Sequence, residues 1–239
     1  MASTQLEVDG LTKRFGGFTA LNRVTLHVKA GERFGLIGPN GSGKTTLINC
    51  VSGSLPADGG RILFEGREIT GLPAHRRTRL GIVRSFQIPK PFVSMTVLEN
   101  LDIPLEYAGH ARARDAGAEA AEILRAIGLD AKAHLRPSGL TQIEMRKLEL
   151  ARAMAARPKL LISDEAMAGL SSAEVDDILA ILFRLNERGI TIIMIEHIMR
   201  AVMRFSVRIV VLDAGERIAE GTPEEIVRNP AVEKAYLGE

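Results

Sequence analysis

An α/β fold with a mostly parallel sheet is predicted by three observations. Short apolar runs alternate with helical segments through the last third of the chain, a glycine-rich loop joins an apolar run to a helix at residues 38–46, and residues 96–156 carry a helical pattern with few β-branched residues. Apolar or alternating runs at residues 5–8, 24–28, 33–37, 61–64 and 82–86 read as strands, which makes the first third β-rich. Helices are predicted at 47–51, 111–127 and 143–155. After Arg157-Pro158 come a strand at 159–163, a helix at 173–188, a strand at 191–195, a helix at 198–205 and a strand at 207–212, an alternation that implies a parallel sheet flanked by helices. The chain reads as one domain, 1–239, in which an α/β core from 1–87 and 157–239 brackets a helical block at 88–156.

With 239 residues the chain can bury a sizeable core without covalent staples. Its single cysteine, Cys50, allows no internal disulfide and is expected to pack in the core. Thirty-one basic against 29 acidic residues leave a net charge of +2, too balanced to announce a nucleic-acid partner. The cluster 75–79, His-Arg-Arg-Thr-Arg, is expected to form a solvated helix face. No apolar run reaches the eighteen or so residues of a membrane span, and residues 1–10 lack a basic start and an apolar core, so a cytosolic chain is expected, able to dock on membrane proteins.

The chemistry is concentrated in Gly38-Pro39-Asn40-Gly41-Ser42-Gly43-Lys44-Thr45-Thr46, which follows a strand and opens a helix. In that context the loop is a cradle for a nucleoside triphosphate: backbone amides face the phosphates, Lys44 neutralises the outer two, and the Thr45 hydroxyl is offered to magnesium. The strand at 159–163 runs into Asp164 and Glu165, two carboxylates at the carboxyl edge of the sheet beside the loop. There Asp164 would orient the metal ion, and Glu165 would polarise the water that attacks the terminal phosphate. Alone, such a pair more often caps a helix. His197, just past the strand 191–195, can reach the same phosphate, and Gln87, after the strand 82–86, could contact the metal and the water. Alone, neither residue would carry the assignment.

In this order the motifs resemble the ATP-binding cassette family, the motor subunits of ABC transporters, over essentially the whole chain. The resemblance implies a P-loop NTPase (RecA-like) core with an N-terminal antiparallel β subdomain and an inserted α-helical signature subdomain. It implies ATP and magnesium, with Gly38, Asn40, Gly41, Ser42, Gly43, Lys44, Thr45 and Thr46 around the phosphates and Thr45, Gln87 and Asp164 on the metal. Phe15, in 11–17, is similar to the family's aromatic loop, on which adenine stacks with about 1–3 kcal/mol by analogy with base stacking. Gln87 matches the glutamine loop, Glu165 the catalytic glutamate and His197 the switch histidine. Residues 80–92, 95–101 and the tail 220–239 resemble the importers of branched-chain amino acids and related small polar solutes. ATPases of lipopolysaccharide export have similar tails and stand as the alternative, as do soluble cassettes that act on DNA or ribosomes.

Counting back from Arg152, the family signature falls on Leu140-Thr141-Gln142-Ile143-Glu144, where both glycines are gone. In the family this segment approaches the terminal phosphate bound by a second subunit. Thr141 keeps the hydroxyl and the helix dipole survives, whereas Ile143 crowds the backbone and Glu144 adds negative charge, so a weaker half-site is expected. Ala166 and Ser171 also stand where the family carries proline and aspartate. A second ATPase subunit is therefore expected, in a homodimer or a heterodimer, and the altered signature favours a different subunit that has an intact one. The permease subunits would be gripped near 87–92, with Phe92 either the anchor or packed inside its own domain, a solute-binding protein would take part indirectly, and the chain would sit peripherally on the inner face of the membrane.

Overall fold

The structure is a computed structural model and describes residues 3–86, 89–108 and 113–237. Two sheets organise it. The first is antiparallel, in the order β2 (Phe18–Lys29), β1 (Thr4–Phe15), β4 (Gly59–Phe64), β5 (Arg67–Glu68). The second is ordered β10 (Glu216–Gly221), β9 (Arg208–Asp213), β3 (Arg33–Ile37), β8 (Thr191–Ile195), β7 (Leu160–Asp164), β6 (Ile82–Ser85), and all its neighbours are parallel except β10 against β9.

The second sheet reads as unbroken apolar sequence because both its faces are covered. Ile192 and Met194 of β8 and Ile209 and Val211 of β9 face one core, with Val175, Ile178, Leu182 and Phe205. Ile193, Ile195, Val210 and Leu212 alternate with them and face the other core, shared with Leu6, Val8 and Leu26 of the first sheet and with Leu47 and Ile48. Leu47 and Ile48 belong to α1 (Lys44–Ser52), which leaves the end of β3. Cys50, in the same helix, is buried as expected, and burial pushes its thiol up to about 11. Between β6 and β7 lie α3 (Glu99–Tyr107), α4 (Ala113–Ile127) and α5 (Gln142–Ala155), which pack on one another, and α5 also touches β6. The amphipathic helix α6 (Ser172–Glu187) and the short α7 (Met199–Phe205) link β7, β8 and β9.

The strands at 33–37 and 191–195 have the expected bounds, whereas β1 and β2 extend into long ribbons that meet at Phe15 and Phe18. The strand β10 was not anticipated; it returns from β9 through Ala214 and Gly215, both at positive φ (45° and 79°). The tail continues as α8 (Pro223–Val227), capped by Thr222 and Glu225, and α9 (Pro230–Leu237). One expectation is corrected. In α2 (Ala74–Leu80), His75, Arg76 and Arg79 are exposed, yet Arg77 is only 2% exposed. Its guanidinium donates to the carbonyls of Cys50 and Val51 in the last turn of α1, and to those of Thr70 and Leu72. The cation is buried because it satisfies carbonyls that the helix end leaves open.

Candidate nucleotide site

The loop between β3 and α1 is shaped by two close approaches. A Cβ on Gly38 (φ 151°) would lie 2.0 Å from the Leu212 carbonyl oxygen, and one on Gly43 (φ 101°) would lie 2.7 Å from that of Ala20. The loop is thus seated against both β9 and β2, and only glycine fits at these points. Gly43 caps α1 without a side-chain bond, and the first turn contains no acid, so the amides and the positive end of the dipole remain open to an anion. The Lys44 ammonium folds back over the loop, donating to the carbonyls of Gly38 (2.7 Å) and Pro39 (2.9 Å). Burial pulls its pKa down, and Glu165 and Asp164 oppose that pull. Such an ammonium is ready to exchange carbonyl partners for phosphate oxygens.

The carboxyl edge of the sheet supplies the other groups. Glu165 follows β7 with φ 47°, a left-handed backbone that a non-glycine residue adopts at a cost. Its amide donates to the Ile195 carbonyl, 2.9 Å away, which draws the ends of β7 and β8 together. The Glu165 Oε1 lies 2.8 Å from Nε2 of His197. Asp164, 5% exposed, is held by Arg84 of β6, whose Nη2 lies 2.6 Å from its Oδ2. The other terminal nitrogen of Arg84 donates to the Asn49 side chain of α1, also at 2.6 Å.

A cavity of about 280 Å³ gathers these groups, with Phe15 and Phe18 at one end, residues 40–46 along the loop, and Glu165 and His197. Phe15 is half exposed, and the Lys13 ammonium lies 5.5 Å from its ring centroid. Gly38 does not line the cavity; it lets the loop pass Leu212. Among the described residues no cluster of three or more His, Cys, Asp or Glu side chains is placed to hold a metal ion by itself. Of the residues expected to hold the metal, Thr45 presents its hydroxyl in the cavity wall, whereas Asp164 is buried outside that wall with one carboxylate oxygen on Arg84. That small set fits magnesium, which keeps several waters and shares phosphate oxygens. Gln87 lies outside the described residues.

Thr141 lies elsewhere, at the N-terminus of α5. Its hydroxyl accepts from the Glu144 amide while the Glu144 carboxylate accepts from the Thr141 amide at 2.9 Å and from Lys132 Nζ at 2.7 Å. The helix dipole expected to remain open there is thus answered by the chain's own carboxylate. Ser171 caps α6 in the same way, with Glu174.

Three contributors were not foreseen. Phe18 pairs with Phe15 across the Gly16-Gly17 turn, and an aromatic on each side of a two-residue hairpin was the available signal. Arg84 is the one charge in the largely buried strand β6, and Glu196 is a buried acid directly before His197.

Residues 21–168 match the family model "ABC transporter", and residues 216–239 match "Branched-chain amino acid ATP-binding cassette transporter". The chain is 42% identical, over 254 aligned positions covering all of both chains, to the high-affinity branched-chain amino acid transport ATP-binding protein BraF of Pseudomonas aeruginosa. Its fold is similar to the ADP conformation of an ATP-binding cassette of an ABC transporter, with TM-score 0.91 and 34% identity over 99% of this chain and all of that one. It is also similar to a bacterial ABC transporter cassette solved as a dimer, with TM-score 0.82 and 28% identity over 91% of this chain and 98% of that one. A sequence match of this extent, together with a fold of TM-score 0.91 to a solved ATP-binding cassette, means that the chain belongs to the ABC transporter family of ATP-binding cassettes, which are ATPases.

Proposed function

We propose that this chain is the ATP-hydrolysing subunit of a transporter that imports branched-chain amino acids or related small polar solutes. The observation that carries the chemistry is the single cavity in which an aromatic pair, a phosphate loop and the Glu165–His197 pair meet. The solute class is supported by the similarity to BraF over the whole chain and by the matching C-terminal segment.

In this reading adenine stacks on Phe15 beside Phe18, and the triphosphate lies along residues 40–46 against the amides of α1. Lys44 leaves the carbonyls of Gly38 and Pro39 for the phosphates. Glu165 takes a proton from a water as its oxygen bonds to the terminal phosphorus; the bond to the bridging oxygen breaks, and ADP leaves with that electron pair. His197 holds the Glu165 carboxylate in place and stands within reach of the terminal phosphate. Thr45 and Asp164, with Gln87 as a further contact, would hold magnesium, which when bound would neutralise part of the phosphate charge.

The partners follow from what the chain lacks in its own signature segment. Glu144, paired with Lys132 and bonded to the Thr141 amide, gives α5 an internal anion, so this face is a weak receptor for a second subunit's phosphate. The cassette therefore works with a different ATPase subunit that carries an intact signature; dimerisation of a similar cassette supports the pairing of two cassettes, and the asymmetry rests on Glu144. We assign residues 1–87 and 157–239 to the ATP-binding core and 88–156 to the helical part that meets the permease. A groove of about 240 Å³ lined by Phe86, Pro104, Arg152 and Ala156 lies between them. Phe92, 40% exposed with Arg152 stacked 5.1 Å from its ring centroid, stands ready as the anchor. Among the described residues no helix is long and apolar enough to cross a membrane, and we place the chain on the inner face through its permease.

The test is ATP-driven uptake of leucine into vesicles bearing the transporter, together with dimerisation of a Glu165→Gln variant. Uptake that stops with Glu165→Gln, and ATP trapping only when a second cassette is added, are the expected results. Uptake that continues at the normal rate would remove Glu165 from the mechanism, and a trapped homodimer would remove the asymmetric pairing.

A further inference from the structure

Glu196 is 2% exposed, yet no lysine or arginine pairs with it among the hydrogen bonds and ion pairs of the described residues. Its Oε1 accepts a 2.9 Å hydrogen bond from the amide of Met167, and the amide of His197 also faces the carboxylate. Met167 is fully buried and follows Glu165 by two residues. One carboxylate therefore joins the turn that carries Glu165 to the residue that precedes His197.

The sheet does not need this bridge. The parallel ladder pairs Asp164 with Ile195, and the Glu165 amide bonds the Ile195 carbonyl, so β7 and β8 are joined without Glu196. What the side chain adds is a fixed position for the backbone just beyond Glu165, where the chain turns away from the sheet. Glu196 is not part of the cavity wall that contains Glu165 and His197, so it does not touch the reacting atoms. An acid in such a place carries a desolvation cost that an apolar residue would not, and burial pushes its carboxyl up to about 7. The charged groups that face it are Glu165 and His197.

We propose that Glu196 is a positioning residue for ATP hydrolysis, fixing the Glu165–His197 pair by holding the Met167 amide. The inference rests on the reading that Glu165 and His197 carry the hydrolysis. It assigns to Glu196 an effect on the chemical step and none on nucleotide capture, because Phe15, Phe18 and the phosphate loop are placed by β1, β2, β3 and α1.

The experiment compares Glu196→Leu, Glu196→Gln and Glu165→Gln in the full chain within its assembled transporter, measuring kcat and KM for ATP. Amide hydrogen exchange at residue 167 is followed in the same proteins. Glu196→Leu is expected to lower kcat by about tenfold or more with KM within about threefold, since small misplacements of reacting groups cost rate rather than binding. Glu196→Gln, whose amide oxygen accepts the same bond, is expected to restore kcat to within about threefold of the wild type and to keep exchange at Met167 slow. Unchanged kcat in Glu196→Leu, or equal loss in the leucine and glutamine variants, overturns the proposal. A parallel rise in KM with faster exchange throughout the chain does so as well, because it marks general loosening. Normal hydrolysis by Glu165→Gln would bring down the reading of the site and the inference with it, whereas an inactive Glu165→Gln beside a fully active Glu196→Leu brings down the inference alone.

Discussion

Arg84 holds Asp164 by a 2.6 Å ion pair in which the two side chains are only 12% and 8% exposed. Because the same guanidinium also bonds Asn49, it ties the last residue of β7 to the helix that begins at the phosphate loop. The carboxylate assigned to the metal is thus aimed by a cation of the chain itself. The Phe86 ring lies 5.3 Å from the guanidinium and adds a cation–π contact.

Removing one partner of such a pair strands the other in a poorly solvated place. Arg84→Met is therefore expected to destabilise the chain by roughly 3 kcal/mol, read as a lower urea midpoint. Arg84→Lys is expected to recover only part of that, since an ammonium cannot reach both Asp164 and Asn49 in fork geometry. Equal urea midpoints for wild type and Arg84→Met would show that the pair contributes nothing net.

Arg77 has no carboxylate partner in its ring of bonds; it donates instead to four carbonyls, two of them in the last turn of α1. Replacing it by methionine leaves those carbonyls buried without donors and removes the positive charge from the negative end of the helix. A loss of about 3 kcal/mol or more is expected in thermal or urea unfolding, with lysine a poor substitute. If Arg77→Met unfolds like the wild type, water must serve these carbonyls equally well.

The buried Glu196 gives a dependence on pH whose sign is fixed. Its carboxyl titrates at about 7 in the fold against an ordinary value of 4.5, so between those values the folded chain holds the proton more tightly than the unfolded chain. Its contribution to stability is fully present below pH 4.5 and is lost as pH rises to 7, a change on the order of 3 kcal/mol. The difference in unfolding free energy between Glu196→Gln and the wild type is accordingly expected to grow in favour of the variant from pH 5 to pH 8. A difference that stays constant across that range would mean that the acid is solvated or paired in both states.

These predictions draw on residues that the sequence reveals unequally. Strands β3 and β8 were legible to the residue because both faces are apolar, Lys44 belongs to the phosphate-loop motif, and Asp164, Glu165 and His197 follow strands in an order that gains meaning only beside that loop. The strand β10 was hidden because charged residues make up half of Glu216–Gly221 and its turn, Ala214-Gly215, lacks the asparagine or aspartate that usually marks a tight hairpin. Arg77 looked solvated because its partners lie in a helix 26 and 27 residues earlier. Arg84 and Glu196 are charges embedded in apolar strands or at their ends, and what they bind depends on which loops the topology brings together.

Phe15 and Phe18 form the closing pair of the β1–β2 hairpin and share one end of the cavity. Phe15→Ala is expected to weaken ATP and ADP binding alike, by about 5- to 150-fold, because the lost contact is with the base and not with the phosphates. Titration with a fluorescent ATP analogue reads this directly, with ADP as competitor. A loss confined to ATP would place the ring near the terminal phosphate, against the stacking assignment.

The asymmetry proposed for the assembled motor can be located in two side chains. Ile143 and Glu144 stand where close approach to phosphate needs small residues and no negative charge, and Glu144 is held by Lys132 and by the Thr141 amide, which keep its pKa below the ordinary carboxylate range. An ionised carboxylate at this helix end satisfies the amides and repels a second anion. The double substitution Ile143→Gly with Glu144→Gln is expected to cost about 1 kcal/mol or more from the altered cap and the added helix glycine. It should nevertheless raise ATP-driven homodimer formation, followed by size-exclusion chromatography in the Glu165→Gln background, by about tenfold or more. If the double variant stays monomeric with ATP while adding a second cassette still traps a dimer, the signature segment is not the origin of the asymmetry. Ser171, which caps α6 with Glu174 where the family carries an aspartate, would then be the next position to exchange.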